Sequence, residues 1–73
     1  MDIRERRTDF NQLEAAVRLG ENERVIIALD GYDGLIVVER RYGGNPIMAV
    51  SGAVVTKVDG FAIEAEFQEK MTA

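Results

Sequence analysis

The chain has 73 residues, of which 47% are apolar and 30% charged, and it carries a formal net charge of −4 with no cysteine and no histidine. One domain, residues 1–73, is expected at this size, near the lower limit at which a core holds without a metal, a disulfide or a partner subunit. Disulfide scaffolds, Cys/His zinc centres, thiol nucleophiles and imidazole bases are excluded, and the acidic balance disfavours a protein that coats nucleic acid.

Residues 1–7 mix Arg4, Arg6 and Arg7 with Asp2 and Glu5 and read as a flexible arm or a first helical turn. Asp9 followed three residues later by Gln12 resembles a capping box, and Phe10, Leu13, Ala16 and Val17 fall on one helical face. The spacing therefore predicts a helix of about three turns, with Glu14 and Arg18 paired on its exposed side and Gly20 as its left-handed cap. From Arg24 the period becomes extended. Val25, Ile26, Ile27 and Leu29, then Leu35 to Val38, predict two strands joined by the five-residue loop Asp30 to Gly34. That loop length places Ile27 opposite Val37, Ile26 opposite Val38 and Arg24 opposite Arg40. Both faces of the hairpin are then apolar, and a strand apolar on both faces must be covered on both.

Gly43-Gly44-Asn45-Pro46 is a turn, and a third strand starts at Ile47. Gly52 interrupts the run from Ile47 to Val58, so that run is either one bent strand or two short ones. Asp59-Gly60 then predicts a tight hairpin between two alternating runs, pairing Val58 with Phe61, Thr56 with Ile63 and Val54 with Ala65. The last residues, 68–73, read as a polar tail. The fold class expected is α+β, an N-terminal helix followed by a four-stranded antiparallel meander, or five strands if Gly52 splits the third. A helix followed by a strongly bent antiparallel sheet also resembles, in element order, the Sm-like RNA-binding proteins, and this resemblance implies the alternative of a small SH3-like or Sm-like barrel with an N-terminal helix.

Three constellations stand out. Asp59, Glu64, Glu66 and Glu69 make the last ribbon acidic on its outward face, which suits a basic protein surface and makes these the candidate partner-binding residues. Arg24, Arg40, Arg41 and Tyr42 gather guanidiniums and an aromatic ring at one sheet end, a candidate contact for an anion or a nucleic acid. Ile26, Ala28, Ile36 and Val38 share one side of the expected hairpin and form the candidate oligomer interface. Asp30 and Asp33 lie in a glycine-bearing loop but lack the remaining ligands of a calcium loop, so no metal site, cofactor or catalytic residue is assigned.

The function expected is therefore that of a small, acidic, non-enzymatic protein-binding module, a stand-alone inhibitor or adaptor of the phage-encoded anti-defence kind. A structural subunit of a homo-oligomeric or virion assembly and a small nucleic-acid-binding barrel are the alternatives. The protein partner is unidentified, a homodimer is expected, and nucleic acid is disfavoured. No run of about 20 apolar residues predicts a membrane span, and cytoplasmic localisation is expected.

Overall fold

The computed structural model describes residues 1–70. Eight strands run in order: β1 (Asp2–Asp9), β2 (Gln12–Arg18), β3 (Glu23–Ile27), β4 (Tyr32–Asp33), β5 (Leu35–Arg40), β6 (Ile47–Ser51), β7 (Ala53–Asp59) and β8 (Ala62–Glu69). They form two antiparallel sheets. In the larger, β1 pairs with β2 and β2 with β8, while β7 and the short β4 also pair with β8; in the smaller the order is β3-β5-β6. No helix occurs among the described residues. The expected α+β class, the N-terminal helix and the simple meander are thereby overturned, and so is a barrel bearing such a helix. Residues 68 and 69, expected in a tail, end β8, and residues 71–73 lie outside the described residues.

The helix fails although the two periods account for equal numbers of apolar residues, four each, because only the strand finds backbone partners on both sides. Leu13, Ala15 and Val17 along β2 and Leu19 just beyond it alternate and are all buried, whereas Phe10 and Ala16 of the helical stripe are exposed. A helix would have left Ala15 and Leu19 off its apolar face. The strand also satisfies its backbone on both sides, pairing Leu13 with Arg7 of β1 and with Ala65 of β8. Asp9 caps a turn rather than a helix, its Oδ1 accepting the Phe10 N–H at 2.8 Å. Glu14 is bonded to Arg6 of the neighbouring strand at 3.0 Å and not to Arg18. The left-handed residue after β2 is Asn22, at φ 60°, and not Gly20.

At the last hairpin the turn exists but is placed one residue later than expected. Asp59 pairs with Ala62 and Val58 with Ile63, so the two-residue loop is Gly60-Phe61, and a bulge at Thr56 then brings Val55 opposite Ala65. Gly60 has φ 60° while Phe61 does not have positive φ, the pattern of a type II′ rather than a type I′ turn. Gly60→Val should lower stability by about 1 kcal/mol or more, since a β-branched residue is strained there. An unchanged midpoint in urea would contradict this.

The β3–β5 hairpin slips by one residue from the expected register. Ile27 pairs with Ile36, Ile26 with Val37, Val25 with Val38 and Arg24 with Glu39. The cause lies in the connection. Tyr32 and Asp33 leave the loop to pair with Glu69 and Gln68 of β8, and the chain re-enters the small sheet through Gly34 at φ 109°. A one-residue slip exchanges faces. Val25, Ile27, Ile36 and Val38 now point toward the larger sheet, and Ile26 and Val37 point away from it. The expected grouping of Ile26 and Ala28 with Ile36 and Val38 is therefore split: Ile36 and Val38 belong to the core, at 0% and 9% exposure, while Ile26 and Ala28 remain outside.

The core lies between the sheets. Leu13, Ala15, Val17, Leu19, Ile63, Ala65 and Phe67 meet Ile27, Ile36 and Val38, with Ile3, Val25, Leu29, Tyr32, Ala53 and Val55 packed around them. Gly52 does split the third strand, as one of the two expected outcomes, and the two halves lie in different sheets. The bend between β6 and β7 is thus how the chain crosses from one layer to the other.

Candidate interaction surface

In an antiparallel pair, directly opposed residues share a face, so the pairings fix which side chains the smaller sheet turns outward. They are Ile26, Leu35, Val37, Ile47, Ala49 and Ser51, with Arg24 and Glu39 at one end. Ile26, Leu35 and Ile47 are 56%, 41% and 54% exposed, and Val37 is half-buried between them. The outer face of the larger sheet is different in kind: it carries Arg4, Arg6, Glu14, Arg18, Glu64 and Glu66 across β1, β2 and β8. One layer is closed by charge, and the other presents aliphatic side chains to solvent.

A second apolar feature lies on the flank where β6 and β7 diverge. Met48 and Val50 oppose Val38 and Ile36, so they point inward, yet they remain 39% and 41% exposed because the larger sheet does not reach under them. Val58 is likewise paired with buried Ile63 but is 58% exposed. Between these strands opens a cleft lined by Val17, Val38, Met48, Val58, Phe61 and Ile63.

The arginine cluster is assembled at one end of the small sheet, but its charge is largely engaged within the chain. Arg24 lies opposite Glu39, not Arg40, and Arg40 lies opposite Glu23. The Arg40 guanidinium donates to the Leu19 carbonyl at 3.0 Å and the Gly44 carbonyl at 3.4 Å, and Arg41 Nε bonds Glu39 Oε1 at 2.8 Å. The hydrogen bond from Arg41 holds the Glu39 carboxyl below its ordinary range. Tyr42 is 79% exposed, and Arg24, also exposed, lies opposite Glu39 without a hydrogen bond to it.

The acidic residues do not converge. Glu64 and Glu66 are neighbours on the outer face of β8, Asp59 sits at the end of β7, and Glu69 is at the far end of β8 opposite Tyr32. Lys57 lies across from Glu64, and Asn11 Nδ2 donates to Glu66 Oε1 at 3.5 Å. No group of three or more acidic side chains placed to hold a metal occurs among the described residues, and no helix there is long and apolar enough to cross a membrane. The uncharged run Ile47-Met48-Ala49-Val50-Ser51 is a feature that the sequence expectations leave without a role. Its signal is present, since five consecutive uncharged residues without Pro or Gly in an edge position mark a strand that can pair further.

No protein-family model, no curated protein and no solved structure matches this chain.

Proposed function

We propose that this protein is a non-enzymatic protein-binding module that acts by occupying a partner's surface, as an inhibitor or adaptor does, through the outer face of β3-β5-β6. The observation that supports the reading is the joint exposure of Ile26, Leu35 and Ile47 on one face, with Val37 and Ala49 between them. Burying each of the large aliphatics would contribute roughly 1.5–3 kcal/mol, so a face that leaves them in water is suited to being covered. Glu64 and Glu66, on the opposite layer, contribute through the summed negative field, which steers association over a longer range than contact. A nucleic-acid surface at Arg24, Arg40, Arg41 and Tyr42 fits less well, because Arg40 and Arg41 are already bonded within the chain.

Affinity capture from the chain's native cells tests the reading. Ile26→Glu combined with Ile47→Glu should abolish retention of a specific protein while leaving the urea midpoint near that of the native chain, because both side chains are already exposed. Glu64→Lys with Glu66→Lys should slow association without abolishing it. Equal retention by the face variant would overturn the assignment.

A further inference from the structure

The two sheets end in four principal edges, β1 and β7 on the larger and β3 and β6 on the smaller. Three of them carry the features that discourage edge-to-edge pairing. Along β1 stand Asp2, Arg4, Glu5, Arg6, Arg7 and Asp9, with a register break between Arg7 and Asp9. On β7 there are Lys57 and Asp59 and a bulge at Thr56, and β3 begins with Glu23 and Arg24. By contrast β6 is regular in register, uncharged and exposed at all five positions. None of the backbone hydrogen bonds outside the strand pairings involves residues 47–51 among the described residues.

We infer that β6 pairs with β6 of a second copy of this chain, antiparallel about a two-fold axis at Ala49, to make one six-stranded sheet. The occupant follows from self-complementarity. A continuous sheet keeps each copy's inward side chains on the same side, so residues can pair only with residues of equal parity, and the register that engages the whole strand sets Ile47 opposite Ser51, Met48 opposite Val50 and Ala49 opposite itself. No charge meets a like charge, and the smallest side chain sits on the axis. The pairing also completes the core, because Met48 and Val50, inward-facing yet solvent-exposed, come to lie against Val50 and Met48 of the second copy beneath the shared sheet.

Charge favours the same arrangement. Arg40 and Arg41 lie at the Ile47 end of β6, where Arg41 is paired with Glu39 and Arg40 lies opposite Glu23, while Asp30 and Asp33 lie in the connection that enters β5 beside the Ser51 end. Antiparallel pairing sets the acidic Asp30–Asp33 end of each copy alongside the arginine-bearing end of the other, where Glu23 and Glu39 offset part of the positive charge, whereas a parallel arrangement would bring the two acidic ends together. The inference is independent of what the outer face binds, although the dimer would join two such faces into one.

Sedimentation equilibrium of the full chain at micromolar concentration is the test. The native protein should run at twice its 8.1 kDa chain mass, and Ala49→Lys and Ala49→Asp should each run as monomers with an unchanged urea midpoint extrapolated to low protein concentration. Mixing the two variants should restore the doubled mass, since Lys and Asp then face each other on the former axis. In this cysteine-free chain, Ala49→Cys should cross-link to itself under mild oxidation, and Ile26→Cys should not; this reading remains decisive if a charge at 49 impairs folding. A monomeric native chain, a dimer that survives Ala49→Lys, or a failure of the mixed variants to associate would each overturn the pairing. Ile26, on the same outer face as Ala49 but two strands from the β6 edge, separates the two contacts: Ile26→Glu should remain a dimer, and a dimer broken by Ile26→Glu as well as by Ala49→Lys would place the contact on the outer face instead.

Discussion

Phe67→Ala should lower stability by about 3–5 kcal/mol, the range for removing a buried aromatic side chain from a core. A domain of 73 residues has in total only about 4–11 kcal/mol, at 0.05–0.15 kcal/mol per residue, so this one change is expected to leave much of the population unfolded. The position explains the size of the effect. Phe67 is 1% exposed and belongs to β8, the strand to which β2, β7 and β4 all pair. Its backbone is also fixed from the first hairpin, the Phe67 N–H donating to the Asn11 carbonyl at 2.8 Å and its carbonyl accepting from Asn11 Nδ2 at 3.2 Å. A cavity at Phe67 cannot collapse without moving β8, and moving β8 disturbs every strand of the larger sheet. The other two phenylalanines provide the comparison. Phe10 and Phe61 are 58% and 57% exposed, so their replacement by Ala should cost little, with Phe61 losing about 0.5–1 kcal/mol for the Arg18 guanidinium that lies 5.0 Å from its ring centroid. Urea denaturation of the three variants decides the matter: comparable midpoints for all three would mean that Phe67 is not the centre of the core.

Apart from β4, which reads as loop, the strands from β3 onward are legible in the sequence because each apolar run is bounded by Gly, Asp, Asn or Pro. Their existence follows from composition and turn chemistry, and a bend or break at Gly52 follows from a glycine inside a strand pattern, whereas the crossing between sheets at that point does not. Register departs from expectation in both hairpins, by one residue in β3–β5 and, in β7–β8, by two at the turn and one beyond the bulge, for two different physical reasons. In β7–β8 the turn glycine is identified correctly, but a positive φ at one central position permits type II′ as well as type I′, and the two place the loop one residue apart. In β3–β5 the expected register follows from a loop that pairs with nothing, whereas Tyr32 and Asp33 are drawn out of that loop by the end of β8.

The N-terminal third departs further from expectation. Glu14-Ala15-Ala16 favours a helix intrinsically, and Phe10, Leu13, Ala16 and Val17 satisfy a helical period. The competing alternation Leu13, Ala15, Val17, Leu19 has just as many members, and it prevails because β8 needs a partner along residues 62–66. That demand is tertiary and comes from a strand far along the chain, Leu13 pairing with Ala65. A hairpin apolar on both faces still has to be covered twice. The larger sheet covers one face in place of the expected helix, and the other is the face carrying Ile26, Leu35 and Ile47.

Gly34→Ala should be about as damaging as the loss of Phe67, at about 3 kcal/mol or more, for a reason unrelated to the hydrophobic core. Gly34 stands where the chain enters β5, and Gly52 stands where β6 gives way to β7, so the two glycines are the points at which the backbone passes between the layers. They pass in direct contact. A Cβ on Gly34 would lie 2.5 Å from the Gly52 carbonyl oxygen and 2.7 Å from its carbon, with the Ala53 Cβ at 3.1 Å. Backbone cannot rotate away as a side-chain tip can, and at φ 109° Gly34 is also in a conformation that L-residues rarely adopt, which alone costs about 1–3 kcal/mol. The two penalties add, and relieving the first requires the β6–β7 bend to open. Gly43 separates them experimentally: at φ 71° a Cβ there would meet nothing within 4 Å, so Gly43→Ala carries the conformational cost alone. Gly52→Ala should fall between, since its Cβ would meet the Gly34 Cα at 3.1 Å, a contact that a shift of a few tenths of an ångström relieves. Urea midpoints in the order Gly43→Ala, Gly52→Ala, Gly34→Ala, from mildest to most severe, are the expected result. If Gly34→Ala proved no worse than Gly43→Ala, the two layers would have to be joined with more clearance than this crossing allows.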